Sequence, residues 1–222
     1  MVKNMAELLI NEKAIIEAVK NHALGIKYEV IEIPENVEVK VEEKKIYIKG
    51  PKGKLEKDFS HIPTVWIIHH DNQIIVACRA RNRKDIEPLR TVASKIRNMI
   101  RGVQEYYVAK HKVAYAHFPM RVKVDYERKL ILVENWYGRI DPIKIPIFGK
   151  DTKVKVINQP GSDIADEVII YGPDKDAVML TSGRLHDACK LRGRFRKDTR
   201  IFMDGIWRFE KGWASDLGFS EE

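Results

Sequence analysis

Val37-Glu38-Val39-Lys40-Val41-Glu42-Glu43-Lys44-Lys45-Ile46-Tyr47-Ile48 reads as a strand, a polar turn and a second strand. Val37, Val39 and Val41, then Ile46 and Ile48, alternate with polar residues, the period-two signature of half-buried strands. The pattern returns at Val122-Lys123-Val124-Asp125-Tyr126-Glu127-Arg128-Lys129-Leu130-Ile131-Leu132. Each pair runs into a glycine-containing turn, Gly50-Pro51-Lys52-Gly53 in the first and Asn135-Trp136-Tyr137-Gly138 in the second. Further strands are expected at Val65–Ile68 and Ile74–Cys78, and again at Val154–Ile157 and Val168–Tyr171. A helix then closes each half. Ile86, Leu89, Val92, Ile96 and Met99 recur at helical spacing in the first, and Val178, Thr181, Leu185 and Ala188 in the second. Lys84-Asp85 and Lys175-Asp176 supply aspartates as expected N-caps, and Pro88 is placed in the first helical turn. The reading is an α+β duplication: two tandem domains, each an antiparallel sheet with one helix packed across it.

Two segments fall outside the repeat. Residues 4–24 carry an amphipathic stripe of Leu8, Leu9, Ile15, Ile16, Val19 and Ala23, with Asn4 and Glu7 forming a capping pair and Gly25 as a stop. It contains no Arg and several Glu, unlike a mitochondrial presequence. Docking on the body of the protein or on a protein neighbour is expected. The expected divisions are a helical extension over 1–28, domains over 29–118 and 119–212, and an acidic, mobile tail over 213–222.

The 222 residues carry 40 Lys and Arg against 32 Asp and Glu, a formal net charge of +8. The excess is clustered. Arg79, Arg81, Arg83, Lys84, Arg90, Lys95, Arg97, Arg101, Lys110 and Lys112 face only Asp85, Glu87 and Glu105 over 79–112. Arg184, Lys190, Arg192, Arg194, Arg196, Lys197 and Arg200 face only Asp187 and Asp198 over 184–200. Both clusters fall on equivalent parts of the repeat, the helix and the segment after it. Such clustering is the electrostatic footprint of a nucleic-acid binder.

Other classes find little support. No apolar run approaches the ~18 residues of a membrane span. Two cysteines, Cys78 and Cys189, make no disulfide framework, and no Cys-x-x-Cys pair is present to hold zinc. His69 and His70 are adjacent on an expected strand and point to opposite faces, so they do not share one ion. Gly50-Pro51-Lys52-Gly53 lacks the spacing of a nucleotide phosphate loop, and there is no Gly-x-Ser-x-Gly elbow. The expectation is a protein that is not an enzyme, with no catalytic residue, no metal and no cofactor. A free RNA-binding adaptor and an RNA-modifying enzyme are the rival readings.

Five strings then occur in order: Ile33-Pro34-Glu35-Asn36-Val37, Lys49-Gly50-Pro51-Lys52-Gly53, Arg97-Asn98-Met99-Ile100-Arg101-Gly102-Val103, Tyr115-Ala116-His117-Phe118-Pro119 and Arg200-Ile201-Phe202-Met203-Asp204-Gly205-Ile206. Together they resemble the large-subunit ribosomal protein family numbered six in bacteria and archaea and nine in eukaryotes, in its archaeal–eukaryotic form. The resemblance covers residues 30–212 and does not extend to the N-terminal helix. Tyr106-Tyr107 stands where the family usually has Gly-Phe, and Gly138-Arg139-Ile140 where it has Gly-Glu-Lys. The resemblance implies a structural constituent of the large ribosomal subunit, bound to large-subunit rRNA near the sarcin–ricin loop and stalk base and supporting the translation-factor site. It implies neighbouring ribosomal proteins as partners, translation factors nearby, and neither a membrane nor a small-molecule substrate. It implies a cytoplasmic location in ribosomes, with nucleolar assembly if the source is eukaryotic, and a second domain that makes most of the RNA contacts.

The chemistry of the clusters gives the expected RNA-binding residues. Arg192, Arg194, Arg196 and Lys197 crowd a stretch without apolar period, suited to a loop lying on phosphates; Arg200 continues it, and Arg184 and Lys190 precede it. Phe202 and Ile206 are expected to anchor this loop to the second sheet. Lys110, Lys112 and Arg97 complete the basic set. Tyr115 and His117 either stack on RNA or serve the domain junction, and Lys52 and Lys54 either touch RNA or protein or are solvated.

Overall fold

The computed structural model describes residues 25–80, 82–191, 197–198 and 200–220. Residues 1–24, Arg81, Arg192–Arg196, Thr199 and the last two glutamates lie outside the described residues. The chain divides into two compact units, Met1–Gln104 and Glu105–Glu222.

In the first unit the strands are β1 (Ile26–Glu32), β2 (Glu38–Glu42), β3 (Lys45–Gly50), β4 (Gly53–Asp58), β5 (Val65–His70) and β6 (Gln73–Arg79), followed by helix α1 (Arg83–Gln104). The expected strand pair is β2 and β3, antiparallel with Val39 opposite Ile48 and Val41 opposite Ile46. These strands do not form one sheet. They divide into two three-stranded antiparallel sheets, β1-β6-β5 and β2-β3-β4. The apolar stripe of α1 (Leu89, Val92, Ala93, Ile96, Met99, Ile100, Val103) packs with Ile46, Ile48, Val65, Ile67, Ile74 and Val76 into one core.

The second unit repeats this order. It contains β7 (Tyr107–Ala114), β8 (Arg121–Asp125), β9 (Leu130–Glu134), β10 (Ile143–Pro146), β11 (Lys153–Asn158), β12 (Ala165–Gly172), helix α2 (Lys175–Ala188) and β13 (Gly205–Trp213). Its small sheet is β10-β9-β8 and its larger one β11-β12-β7-β13. Strand by strand, β7 to β12 occupy the places of β1 to β6, and β13 is an addition on the far side of β7. The duplication is therefore present, with two sheets and one α-helix in each half among the described residues.

Several boundaries differ from the sequence reading. Residues 105–118 belong with the second unit, because β7 is hydrogen-bonded along its length to β12 and β13. Trp213 ends β13, and the segment after it packs on the sheet: Leu217 and Phe219 join Val108, Ile169 and Tyr171, with the Tyr171 and Phe219 rings 5.1 Å apart. The acidic composition of the tail hid two apolar anchors.

The helix starts also shift. In α2 the cap is Asp174, whose carboxylate accepts from the Asp176 N–H at 3.0 Å. In α1, Asp85 is the third helical residue and its carboxylate reaches back to the Asn82 N–H at 3.1 Å, the reciprocal half of a capping box. An aspartate favours either place, so composition alone does not choose between them. Pro88 consequently lies in the second turn of α1, where its missing N–H removes one helical bond.

Candidate nucleic-acid interface

In the second unit three loops that are far apart in sequence are tied into one ledge. The Asp204 carboxylate accepts the Ala116 N–H at 3.0 Å, joining the Tyr115–Pro119 string to the segment before β13. The Asn135 amide donates to the Pro119 carbonyl at 3.0 Å, bringing in the short helical turn Trp136–Gly138. The Phe118 and Tyr137 rings pack 6.1 Å apart. Lys197 closes the circuit: its ammonium donates to the Tyr137 hydroxyl at 2.6 Å and sits over the Phe202 ring, 4.3 Å from the centroid. Two of the five strings quoted above thus meet through Asp204.

The ledge is held from beneath. Trp136 is buried, and Ile206 anchors the start of β13 in the core as expected. Phe202 does not anchor; it is 39% exposed and offers its ring face to the Lys197 ammonium. An ammonium between two aromatic faces is attracted by their quadrupoles and fixed in direction. Ile201, Phe202 and Met203 all present apolar surface beside it. The ledge accordingly combines fixed positive charge with exposed rings, chemistry suited to phosphates and unstacked bases.

His117 and Arg200 are also exposed here. Arg200 forks onto the Asp198 carboxylate through Nε at 3.2 Å and Nη2 at 2.9 Å. That bond raises the guanidinium's pKa and lowers the carboxyl's. Tyr115 is half-buried, its hydroxyl accepting from the Gln159 amide at 3.3 Å. Arg192, Arg194 and Arg196 lie outside the described residues.

The remaining expected residues lie elsewhere. Arg184 is exposed on α2, and Lys190 is half-buried just after it. Lys110 and Lys112 are on β7 and are engaged within the protein: Lys110 with Glu210 at 2.8 Å, Lys112 with Asp166 at 2.8 Å and Glu167 at 3.3 Å. The bond to Asp166 raises the Lys112 pKa. In the first unit, Arg97 on α1 pairs with Glu29 on β1 at 2.5 Å. Lys52 sits at the β3–β4 turn and Lys54 on β4, both exposed. The ledge gathers Tyr115, His117, Lys197 and Arg200, and leaves Lys110, Lys112 and Arg97 facing carboxylates of their own units.

A buried polar network lies inside the second unit. His111 on β7 holds its Nδ1 3.1 Å from the Val168 carbonyl and its Nε2 2.8 Å from the Ser182 hydroxyl. A carbonyl only accepts, so Nδ1 carries the proton and Nε2 accepts from Ser182. Arg208 donates to the same hydroxyl at 3.3 Å. Burial holds the imidazole down to about 4. Ser182 is fully buried, which makes the pair structural. Burial likewise pushes the Cys189 thiol up to about 12, so it is unsuited to nucleophilic work. No group of three His, Cys, Asp or Glu poised for a metal occurs among the described residues, and no described helix is long and apolar enough to cross a membrane.

Comparison with known proteins gives the family. The model of ribosomal protein L6 matches residues 33–106, which run from the end of β1 to the end of α1 and just beyond. "Large ribosomal subunit protein uL6" of Desulfurococcus amylolyticus is 39% identical over 186 residues, covering 84% of this chain and 95% of that protein. The proteins of the same name from Staphylothermus marinus and Nanoarchaeum equitans are each 37% identical, over 83% and 86% of this chain and 95% and 96% of their own lengths. Matches of this identity over nearly the whole of each relative are too long to fit within either unit alone, and the chain belongs to the ribosomal protein L6 family.

Proposed function

We propose that this protein is a structural constituent of the large ribosomal subunit and binds large-subunit rRNA. The observation that carries the reading is the identity to relatives named for that subunit, sustained over about their whole length. The charge distribution supports it independently, since Lys197 and Arg200, from the basic stretch over 184–200, lie on the ledge of the second unit, where exposed rings stand beside fixed cations. On this reading Lys197 and Arg200, with Arg184, Lys190, Arg192, Arg194 and Arg196, contact phosphates, and Tyr115 and His117 line the same ledge. Phosphate contacts position a protein on RNA without reading its sequence, while the rings discriminate unpaired bases.

The finer placement follows the family resemblance: the second unit lies beside the sarcin–ricin loop and stalk base, where it supports the docking of translation factors. The protein works in ribosomes of the cytoplasm, alongside neighbouring large-subunit proteins, with assembly in the nucleolus if the source is eukaryotic. Its role is to brace RNA rather than to catalyse.

Sedimentation tests the reading. A tagged full-length copy is expected to travel with large subunits and polysomes through a sucrose gradient at moderate salt. Recovery chiefly in ribosome-free fractions would overturn it, and would favour a free RNA-binding adaptor.

A further inference from the structure

The ledge concentrates exposed apolar surface. Of the nine large hydrophobic side chains that the second unit exposes among the described residues, Phe118, Ile201, Phe202 and Met203 belong to it. A fifth, Ile140, lies two residues beyond Gly138. Single exposed apolar residues need no explanation, but a cluster rimmed by charge marks a place where something docks. Phe118 is 41% exposed and Met203 60%.

The rings are set before any ligand arrives. Gly138 has a left-handed φ of +73°, and a Cβ there would stand 2.9 Å from Phe118 Cε1, so the Phe118 ring lies against bare backbone. Tyr137 is also left-handed, at φ 50° and ψ 37°, a conformation that costs a bulky residue free energy. Buried Trp136 beside it and the Lys197 ammonium on its hydroxyl hold it there. The Tyr137 ring lies 6.1 Å from Phe118 and 5.3 Å from the Lys197 ammonium, which itself stands over Phe202. Phe118, Tyr137, Lys197 and Phe202 thus form one row, with a part-exposed ring at each end and a cation within it.

We infer, taking the rRNA-binding role as given, that this row holds two successive unpaired nucleotides of the rRNA. Their bases stack on the Phe118 and Phe202 rings, and the phosphate that links them lies on Lys197. Ring, cation and ring match base, phosphate and base. Duplex RNA keeps its base faces covered and offers phosphates and 2′-hydroxyls, which call for cations and not for rings. A protein neighbour could cover the rings, but it would also strip water from the Lys197 ammonium. A phosphate offsets that cost and an apolar surface does not. One of the three N–H donors of Lys197 goes to the Tyr137 hydroxyl, which leaves donors for the phosphate. Tyr137 is therefore a positioning residue, acting through the ammonium that it aims. Stacking tolerates every base, so the ledge selects unpaired RNA rather than a particular sequence.

The test uses the full-length chain and a large-subunit rRNA fragment across a salt series. Phe118→Leu with Phe202→Leu removes both rings and keeps apolar bulk. Affinity is expected to fall about tenfold or more at every salt concentration, because stacking is lost. The slope of log affinity against log salt should stay unchanged, because no phosphate contact is lost. Lys197→Gln is expected instead to flatten the slope by about 0.7, the increment of one single-strand phosphate contact. Unchanged affinity in the double leucine variant would overturn the inference and leave rRNA binding itself standing. If that variant also failed to enter subunits, the rings would belong to a protein neighbour. Failure of the parent to bind the fragment would overturn the rRNA reading, and the inference with it. Should the double variant fail to fold, ring resonances of the unaltered chain decide. Upfield shifts of the Phe118 and Phe202 ring protons on adding the fragment support stacking, and their absence overturns it.

Discussion

The Trp136 indole N–H donates to the Cys189 carbonyl at 3.1 Å, tying the turn after β9 to the end of α2. The first unit makes the same connection with different atoms: the Lys52 N–H, in the turn after β3, donates to the Val103 carbonyl at 2.8 Å near the end of α1. The last carbonyls of a helix have no partner within it. In both halves, the turn that follows the third strand supplies one. Lys52 is thus placed by its backbone before its side chain has any role, and the Trp136 turn that supports the ledge is at the same time a helix cap.

Trp136→Phe preserves most of the ring and removes the N–H. The Cys189 carbonyl, in a fully buried residue, then loses its partner. A cost of about 1–3 kcal/mol is expected from a buried acceptor left unsatisfied. Urea unfolding of the second unit's transition measures it. An unchanged midpoint would show that the bond contributes nothing.

Gly50→Ala and Gly183→Ala should act in opposite directions. A Cβ on Gly50 would stand 2.7 Å from Val103 Cγ2 and 2.8 Å from the Val103 carbonyl oxygen, so the β3–β4 turn must separate from α1. Overpacking of this kind costs about 1–3 kcal/mol. Gly183 lies inside α2 with nothing within 4 Å of its Cβ position, and alanine there should stabilise by about 0.5–1 kcal/mol. Thermal midpoints of the two variants against the parent check the signs.

His111 makes stability depend on pH. Its folded pKa of about 4 lies below the ordinary 6.5, through burial first, with the nearby positive charges of Arg208 and His186 adding to the effect against the Val168 hydrogen bond. Above pH 6.5 the imidazole is neutral in both states and the contribution is intact. Between 6.5 and 4 the unfolded chain takes up a proton that the folded chain refuses, so stability falls by roughly 3 kcal/mol over that window and levels off below it. His111→Gln should flatten this part of the curve. The imidazole resonances of the folded protein give the pKa directly, and a value near 6.5 would contradict the prediction.

How much of this was legible in the sequence can be argued from particular strands. β2, β3, β8 and β9 are clean alternations and were readable. β7 was not, because Lys110, His111 and Lys112 interrupt its apolar run. Yet Tyr107, Ala109, His111 and Val113 keep period two, and that alternation was the available signal for a histidine pointing inward. β13 is an edge strand with Arg208, Glu210 and Lys211 in its middle, and no local pattern separates such a strand from a loop. For the ledge, charge picked out Lys197 and Arg200. Tyr137, sixty residues from Lys197, carries no local sign that its ring faces that ammonium. The ion pairs of Lys110, Lys112 and Arg97 were equally invisible, being contacts between elements that only folding brings together.

Those ion pairs sharpen the prediction for RNA affinity. Replacing Arg192, Arg194, Arg196 and Lys197 by Gln removes up to four phosphate contacts concentrated in one short stretch of sequence. If all four bind duplex-like RNA, the slope of log affinity against log salt should flatten by roughly three to four units, at ~0.9 per contact for a B-form duplex and somewhat less for single strands. Matched Gln changes at Arg79, Arg81, Arg83 and Lys84 should cost less, although the first cluster carries more net charge, because Arg79 ends β6 whereas Arg83 and Lys84 begin α1. Lys110→Gln with Lys112→Gln should change the slope least, since both ammoniums already face carboxylates across the sheet. Binding of the three variants to a large-subunit rRNA fragment across a salt series, with incorporation into subunits followed in parallel, reads all of this in one experiment. Equal losses from the two clusters, or a greater loss from the first, would move the RNA face to the other unit.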